Sequence, residues 1–332
     1  MNRMVMKTMS KFRWAYVGSG SIAGNTARSV TKGEHTIAAV CSRNPETAAA
    51  FAEKYGAAVY ADFDALLEAD GFDGVYIATP HTSHADYAVR AMRAGKPVLC
   101  EKPVGVSTAE VDRMLAASRE NGVYFCEAMW TWFSDVALTV KQWIDEKRIG
   151  WIRSVRMEYA FPGVMMRKTS RLLMPQTAGG ALLDIGVYPI TYCYRLFGYP
   201  DRIDCRGTLK DGIDIEETVT LGYAGFDCTL HISLTKLRES CRIVGTEGGI
   251  TVPVFHMAKL AALKTKAKKE TFAGKTDYLT EFTRAAEEIR AEKTESLFVP
   301  HAATRDCMRI MDECRRQLGL VYPFESQNKQ EE

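Results

Sequence analysis

Residues 12–24, FRWAYVGSGSIAG, decide the fold of the first part of the chain. The mostly apolar start of this stretch is typical of a buried strand, and the glycines after it predict a tight turn into a helix. Gly18 permits the turn, Gly20 lets an anion approach the backbone, and Ala23 allows close packing of the helix on the strand. Free N–H groups and the positive end of the helix dipole then favour a pyrophosphate, so the stretch predicts dinucleotide binding over an ordinary strand–helix turn.

The overall composition indicates a soluble globular protein. With 332 residues, two domains are the default, and 46% hydrophobic and 25% charged residues leave no biased tract. The net charge of +2 gives no reason to expect nucleic acid or a membrane as a partner, and no run of about 18 apolar residues could span a bilayer. The short basic run at 264–269 is interpreted as a solvated strand edge or loop.

Cysteine usage and the amino-terminal residues bear on location. The nine cysteines are scattered and contain no C-x-x-C pair, which favours buried free thiols in a reducing compartment. The first eleven residues carry Arg3, Lys7 and Lys11 without the apolar segment of a signal peptide. We therefore expect a cytoplasmic protein.

From residue 12 to about residue 129, short apolar runs alternate with amphipathic helices. Asn44 and Pro45 start one of these helices and Gly56 ends it. Alternation of this kind predicts βαβ units, and therefore a doubly wound, mostly parallel sheet of the Rossmann type over residues 10–127. Its ligand crevice should lie beyond the carboxyl ends of the strands.

The second half of the chain has a different pattern. After a predicted strand at 151–161 and a helix at 181–197, consecutive strand-like runs occupy 202–208, 213–223, 226–235, 239–245 and 250–255. Such runs predict an α+β domain with an open, mainly antiparallel sheet over residues 128–325. Two helices, at about 277–292 and 301–318, close it, and the polar tail after Phe324 is expected to be frayed.

The residues that follow the second strand bear on the choice of cofactor. An acidic residue at this point usually binds the ribose 2′-hydroxyl of NAD, but here the chain has Ser42 and Arg43. Ser42 can donate to a 2′-phosphate and Arg43 can pair with it, which favours NADP(H) over NAD(H), although NAD(H) remains possible. The alternative is an exposed loop arginine.

Two further strand ends point into the same crevice. Thr79 and Pro80 follow the fourth strand together with His81 and His84, which could act as ligands or acid–base groups, although His84 could equally cap or pack a helix. Two histidines without a third ligand do not indicate a metal site.

The fifth strand ends in Glu101, Lys102 and Pro103. Charges in such a crevice must be paired or used. Lys102 beside a nicotinamide could hydrogen-bond a carbonyl or hydroxyl, or lower the pKa of a neighbouring phenol. A surface salt bridge is the alternative.

Asp184 and Tyr188 lie four residues apart in the predicted helix at 181–197, so they share one face. A carboxylate and a phenol that face a cofactor can orient a diol and carry a proton, whereas a structural hydrogen bond between them is the alternative. Gly186 leaves room on this face, and Pro189 would remove one backbone hydrogen bond.

Together these residues resemble the family of glucose–fructose oxidoreductase and inositol dehydrogenase (Gfo/Idh/MocA). The resemblance covers nearly the whole chain and is carried by Gly18-x-Gly20-x-x-Ala23, Ala78-Thr79-Pro80 with His84, Glu101-Lys102-Pro103, and Gly179-Gly180-Ala181-Leu182-x-Asp184-x-Gly186. Within the family, residues 127–133 and 183–188 resemble the dimeric dihydrodiol dehydrogenases and the NADP-dependent D-xylose dehydrogenases.

The resemblance implies an NADP-dependent dehydrogenase of a sugar, polyol or cyclic trans-diol. It implies Tyr188 as general acid/base, Lys102 as its partner and Asp184 as the group that orients substrate. The cofactor would contact residues of the glycine turn and the strand ends, namely Gly18, Gly20, Ser21, Ile22, Ala23, Ser42, Arg43, Thr79, Pro80, His81, His84, Glu101 and Lys102. The substrate would contact Trp130, Phe161, Arg171, Asp184 and Tyr188. A homodimer or homotetramer through the second sheet is also implied.

The chain also departs from the family pattern. Ala178 stands where relatives often have a third glycine, Trp132 where they commonly have arginine, and His81 where many have asparagine. The last two differences leave the substrate open. Two alternative functions are a glycosidase or lyase that retains its cofactor, and a non-catalytic NADP(H) sensor. The Lys102, Asp184 and Tyr188 set argues against a sensor, which needs no proton transfer.

Overall fold

A computed structural model describes residues 10–166 and 170–328 of the chain. The first half contains β1 (Phe12–Val17), α1 (Ser21–Val30), β2 (His35–Cys41), α2 (Pro45–Tyr55), β3 (Ala58–Tyr60), α3 (Phe63–Glu68), β4 (Gly74–Ile77), α4 (His84–Arg93), β5 (Val98–Glu101), α5 (Thr108–Asn121) and β6 (Phe125–Ala128). The second half contains α6 (Asp135–Asp145), β7 (Ile152–Ala160), α7 (Val187–Phe197), β8 (Arg202–Lys210), β9 (Ile213–Tyr223), β10 (Phe226–Ser233), β11 (Arg238–Gly245), β12 (Gly248–Val252), β13 (Leu260–Thr265), β14 (Lys269–Ala273), α8 (Tyr278–Arg290), α9 (His301–Leu318) and α10 (Pro323–Asn328).

The first sheet is parallel, with the strand order β3-β2-β1-β4-β5-β6. The order reverses between β1 and β4, and in open α/β sheets a ligand crevice forms outside the carboxyl ends of the strands at such a point. The predicted Rossmann fold is therefore confirmed. Its crevice lies next to the turn at Gly18 and Gly20, as the first stretch of sequence indicates.

Helix starts in this half follow the local sequence. Asn44 Oδ1 accepts hydrogen bonds from the N–H groups of Glu46 and Thr47, at 3.0 and 3.1 Å, and Gly56 ends α2 in the left-handed region with a φ of +71°. Helix α1 is different, because Gly20 caps it without any side chain and its first turn contains no acidic residue. The amino-terminal N–H groups of α1 are therefore not covered by a side-chain cap.

The second sheet has eight strands in the order β14-β13-β12-β11-β7-β10-β9-β8. Among the described strands of this second sheet only β7 and β10 pair in parallel, so the expected mainly antiparallel sheet is confirmed. Strands β13 and β14 were not predicted, because polar and basic residues interrupt their apolar pattern. The basic run at 264–269 forms the end of their edge hairpin.

Helix α8 packs against the first sheet although it follows the second sheet in the chain. The ring of Phe282 lies 5.1 Å from that of Trp14 and 4.8 Å from that of Tyr76, measured between centroids. Helix α9 also bonds to this part of the molecule, since Thr108 N–H donates to Asp312 at 2.7 Å. The division into domains at 10–127 and 128–325 stays a prediction. Helices α8 and α9 belong to the second of these ranges but contact residues of the first.

The tail was expected to be frayed beyond Phe324, but α10 continues to Asn328. Glu325 explains this correction, because its carboxylate accepts from the Tyr322 N–H at 2.8 Å and from the Arg315 guanidinium at 2.6 Å. Arg3 and Lys7, which bear on the signal-peptide prediction, lie outside the described residues. No helix in the described parts of the chain is long and apolar enough to cross a membrane.

The turn between β1 and α1 yields a stability prediction. Gly18 has a φ of +104°, and an added Cβ would lie 2.7 Å from the carbonyl oxygen of Ala78. We expect Gly18→Ala to lower the free energy of unfolding by about 2–4 kcal/mol, through backbone strain and this contact. Gly24→Ala is the matched control, because nothing lies within 4 Å of its Cβ position and helical alanine is favoured over glycine. Urea unfolding measures both, and equal losses in the two variants would contradict the prediction.

Candidate active site

A first cavity of about 370 Å³ lies beyond the ends of β1, β2 and β4. It is lined by Val17, Gly18, Ser19, Gly20, Cys41, Ser42, Arg43, Thr47, Ala61, Asp62, Phe63, Ala78, Thr79, Pro80 and Tyr87. No atom lies within 4 Å of the position that a Cβ on Gly20 would occupy, and the start of α1 has no side-chain cap. An open helix amino terminus behind a glycine turn fits a pyrophosphate, so these residues fit a dinucleotide.

The hydroxyl side chains of Ser42 and Thr47 both lie within hydrogen-bond distance of Ser19 Oγ at the end of β2. Ser19 Oγ donates to Ser42 Oγ at 3.0 Å and lies 2.7 Å from Thr47 Oγ1. Arg43 is exposed and forms no ion pair with any residue that the structure describes. The carboxylate of Asp62 also borders this cavity, but its Oδ1 is engaged as the acceptor for Ala65 N–H at 2.9 Å. Ser42 and Arg43 are therefore available to a phosphate.

A second cavity of about 330 Å³ adjoins the first, and the two share Gly20, Ala78, Thr79 and Pro80. Its remaining lining brings together most of the predicted site residues, namely Ser21, Ile22, His81, His84, Glu101, Lys102, Trp130, Arg171, Asp184 and Tyr188, with Tyr278 in addition. Gly18, Ser42 and Arg43 line the first cavity, and two predicted residues line neither cavity. Ala23 is buried within α1, and Phe161 follows β7 as a residue that is 39% exposed.

The Lys102 ammonium is held by a main-chain group. Its Nζ donates to the carbonyl oxygen of Asp184 at 2.7 Å and lies 4.5 Å from the ring centroid of Tyr188. A hydrogen bond from an ammonium and a contact with a ring face both stabilise a partly buried positive charge. Strand β5 and the segment before α7 are thus joined at this point.

The predicted helix at 181–197 is not regular around the Asp184 carbonyl. Leu182–Gly186 forms a π-helical turn, and α7 begins only at Val187. In a π turn this carbonyl would pair with the N–H five residues later, but that residue is Pro189, which has none. Gly186 allows the turn to approach the second sheet, since an added Cβ would lie 3.0 Å from Ile232.

The Asp184 side chain is the fixed negative charge of the cavity. Its Oδ1 accepts from the Arg171 guanidinium at 2.8 Å. Burial works to raise the pKa of Asp184, but the positive charges of Lys102 and Arg171 outweigh it and hold the pKa below its ordinary value. The carboxylate is therefore ionised and can accept hydrogen bonds from hydroxyl groups.

Tyr188 places its phenol in the same cavity. Trp130 Nε1 donates to the Tyr188 hydroxyl at 3.3 Å. Burial raises the pKa of Tyr188, and the hydrogen bond from Trp130 acts in the opposite direction. The phenol is therefore protonated at neutral pH, while the neighbouring Lys102 ammonium would stabilise a phenolate formed during a reaction.

Carboxyl groups lie beneath the lysine. The Tyr76 hydroxyl donates to Glu101, whose other oxygen accepts from Lys102 N–H at 3.2 Å, and burial raises the pKa of Glu101. Burial also raises the pKa of Glu127 to about 7, although the N–H of Val104 donates to it at 3.1 Å and lowers the pKa in part. These acids are shifted toward their neutral forms, so they do not fully cancel the charge of Lys102.

The two predicted histidines are buried and held by main-chain carbonyls. His81 Nε2 lies 2.9 Å from the carbonyl oxygen of Ala178, and burial lowers its pKa. His84 has a carbonyl on each side, with Nδ1 3.0 Å from Pro103 O and Nε2 2.9 Å from Thr79 O. Burial lowers the pKa of His84 to about 4. His84 therefore links the ends of β4 and β5, and His81 links the end of β4 to the segment that precedes the π-helical turn.

Three aromatic residues around Tyr188 were missed at the sequence level. Tyr278, at the start of α8, lies 4.9 Å from Trp130 between ring centroids. Tyr159 of β7 and His256, which follows β12, lie 5.7 and 5.6 Å from the Tyr188 ring. None belongs to a local motif. Only the alternation along β7, which places Tyr159 and Phe161 on one face, was a signal for Tyr159.

A Rossmann cleft that opens into a cavity with a lysine, a carboxylate and a phenol defines a dinucleotide-binding oxidoreductase. Comparison with known proteins agrees. Residues 12–128 match the family model described as "Oxidoreductase family, NAD-binding Rossmann fold", and residues 137–251 match the model "GFO/IDH/MocA C-terminal domain". The chain belongs to the Gfo/Idh/MocA family of oxidoreductases, as the motifs indicated.

Individual relatives cover almost the whole chain. A trans-1,2-dihydrobenzene-1,2-diol dehydrogenase of Danio rerio is 32% identical over 95% of this chain and 99% of its own length. The scyllo-inositol 2-dehydrogenase (NADP(+)) IolU of Bacillus subtilis is 32% identical over 94% of this chain and 98% of its own. The crystal structure of a putative NADPH-dependent oxidoreductase from Desulfitobacterium hafniense superposes with a TM-score of 0.85 at 20% identity, covering 94% and 96% of the two chains.

The buried carboxyl of Glu127 yields a prediction for stability against pH. Its pKa is about 7 in the folded protein against 4.5 ordinarily, so the native state binds the proton more tightly. The contribution of Glu127 to the free energy of unfolding is therefore greatest at low pH. As the pH rises from 4.5 to 7, this contribution falls by up to about 3 kcal/mol. We expect Glu127→Gln to remove this part of the pH dependence. Urea unfolding of both proteins at pH 5 and 7.5 measures it, and parallel pH dependences would contradict the assignment.

Proposed function

We propose that the protein is an NADP-dependent dehydrogenase that interconverts a carbinol and a carbonyl on a sugar, polyol or cyclic trans-diol. The observation that carries the proposal is the meeting of Lys102, Asp184 and Tyr188 in a cavity that adjoins the dinucleotide cleft. A bound nicotinamide supplies the hydride acceptor for oxidation and the hydride donor for reduction.

The three residues have separate roles in this proposal. Tyr188 is the general acid/base, which takes the proton of the reacting hydroxyl in oxidation and returns it in reduction. Lys102 lies over the Tyr188 ring and stabilises the phenolate that oxidation requires. The ionised carboxylate of Asp184 accepts a hydrogen bond from a neighbouring hydroxyl and so orients the substrate.

The cofactor preference rests on the end of β2. No carboxylate stands there to bind a ribose 2′-hydroxyl, and Ser42 and Arg43 can together hold a 2′-phosphate. Gly18, Gly20, Ser21, Ile22 and Ala23 would hold the pyrophosphate. The remaining predicted cofactor contacts border the shared part of the two cavities.

The substrate class rests on the charges in the cavity and on the relatives. The paired Arg171 and Asp184 offer donors and an acceptor to adjacent hydroxyl groups. Two relatives are named as dehydrogenases of a trans-1,2-dihydrobenzene-1,2-diol and of scyllo-inositol, which are both rings with neighbouring hydroxyls. Trp130 is part of the proposed pocket, and Phe161 would join it only at the outer end of β7.

The proposal includes assembly and location. Arg156 of the central strand β7 is exposed, and no described helix covers that face of the second sheet, which supports a homodimer or homotetramer formed through it. All nine cysteines are buried and unbridged, which supports the expected cytoplasmic location.

The proton-transfer role is tested with Tyr188→Phe. We expect turnover to fall by about 10²–10⁴-fold, because the variant lacks the acid–base group, while NADP⁺ binding is kept. Tyr192→Phe is the matched control, since Tyr192 lies on the same helix and its hydroxyl has no partner among the described residues. Formation of NADPH with a panel of aldoses, inositols and cyclic diols is the assay. Near wild-type turnover in Tyr188→Phe would refute the assignment.

The cofactor assignment is tested with Arg43→Ala. We expect the dissociation constant for NADP⁺ to rise about 10–100-fold, because the variant loses a charge-assisted contact with the 2′-phosphate. The dissociation constant for NAD⁺, which lacks this phosphate, should stay within about twofold of the wild-type value. Arg28→Ala, at the far end of α1, is the control for loss of one surface charge. Fluorescence titration measures both constants. A tighter wild-type affinity for NAD⁺ than for NADP⁺ would contradict the assignment of Ser42 and Arg43 as the residues that bind the 2′-phosphate.

A further inference from the structure

Glu239 is a carboxylate on the cavity side of the second sheet. It stands directly opposite Tyr159 in the antiparallel pair of β11 and β7, so their side chains share one face. That face packs on α7, because Met157, two residues before Tyr159, contacts Cys193 of α7 at 3.7 Å. The Glu239 side chain is only 12% exposed, and a charge in such surroundings needs a partner.

The partner of Glu239 is His256. One carboxylate oxygen accepts from the backbone N–H of His256 at 2.7 Å, and the other lies 2.7 Å from Nδ1 of the same residue. This geometry places a proton on Nδ1, which donates to the carboxylate, and leaves Nε2 as the second polar atom of the ring. Nε2 has no hydrogen-bond partner among the described residues and is not one of the fully enclosed polar atoms.

The imidazole ring stands beside the proposed catalytic tyrosine. Its centroid lies 4.7 Å from Tyr159, 5.6 Å from Tyr188 and 6.0 Å from Trp130. Trp130 and Tyr188 both line the second cavity, so His256 lies one side chain beyond that lining, among aromatic rings. Nε2 is the one nitrogen in this group of rings that is oriented by a carboxylate and left without a partner in the described structure.

We propose that the substrate site extends past the second cavity to His256, and that His256 is a specificity-determining residue whose Nε2 hydrogen-bonds to a substrate hydroxyl beyond the pair held by Tyr188 and Asp184. Glu239 is the positioning residue that orients the imidazole. The site therefore selects ring polyols that carry further hydroxyls over simple cyclic diols, because a bound substrate without that hydroxyl leaves Nε2 unsatisfied. This inference rests on the proposed function.

The experiment compares two alcohols as probes, scyllo-inositol with six hydroxyls and trans-cyclohexane-1,2-diol with two. His256→Phe keeps an aromatic ring at this position and removes both nitrogens. We expect it to lower kcat/KM for scyllo-inositol about 10–100-fold, mainly through KM, and to change kcat/KM for the diol less than about threefold. His256→Gln, whose amide can hydrogen-bond in place of Nε2, should recover part of the loss, and Glu239→Gln should show a weaker form of it.

His231→Phe is the control, because His231 lies on the same sheet with Thr218 as its partner and should leave the ratio of the two alcohols unchanged. Equal losses on both alcohols in His256→Phe, or no loss on either, would overturn the specificity role and leave only a structural one. If the wild-type protein forms no NADPH with any aldose, inositol or cyclic diol of the panel, the proposed function and this inference are both overturned, whereas activity on aldoses alone overturns only this inference. Both results are seen before any variant is made, so the two failures are distinct.

Discussion

The hydrogen bond from Lys102 Nζ to the carbonyl oxygen of Asp184 is the contact on which the site depends. It joins the end of a parallel strand in the first sheet to the segment that precedes α7 in the second half. An ammonium held by a main-chain oxygen has a fixed position, and here that position is over the ring of Tyr188. This bond uses only the backbone of Asp184. Its carboxylate therefore remains able to accept hydrogen bonds from other groups in the cavity.

This contact is made at an irregular part of the helix. Leu182–Gly186 is π-helical, and in that register the partner of the Asp184 carbonyl would be Pro189, which has no N–H, so the oxygen can accept from the lysine. Gly180 and Asp214 hold the start of this segment, since Asp214 accepts from Leu182 N–H at 2.5 Å and a Cβ on Gly180 would overlap the carboxylate. The glycines before Asp184 are therefore needed for close approach and not for flexibility.

Much of the site could be predicted because the carboxyl ends of parallel strands meet at one edge of a sheet. Ser42, Thr79 and Lys102 all follow such strands, so local sequence was enough to place them together. Tyr278 and His256 could not be placed in this way, because they come from distant parts of the chain and reach the cavity only through tertiary packing. The family resemblance implied Phe161 as a substrate contact, but the side chain beside Tyr188 is Tyr159, two residues earlier in the chain.

The electrostatics of the site follow from what lies beneath it. Glu101, Glu127 and Glu281 are buried, and burial raises the pKa of each, which favours their neutral forms. Were all three ionised, their charges would oppose formation of a phenolate on Tyr188. Because they are shifted toward the neutral state, the ammonium of Lys102 acts on the phenol with less competition, while Asp184 keeps its charge through Lys102 and Arg171. The same low-polarity surroundings that keep Tyr188 protonated at rest therefore strengthen the attraction between the Lys102 ammonium and a phenolate on Tyr188.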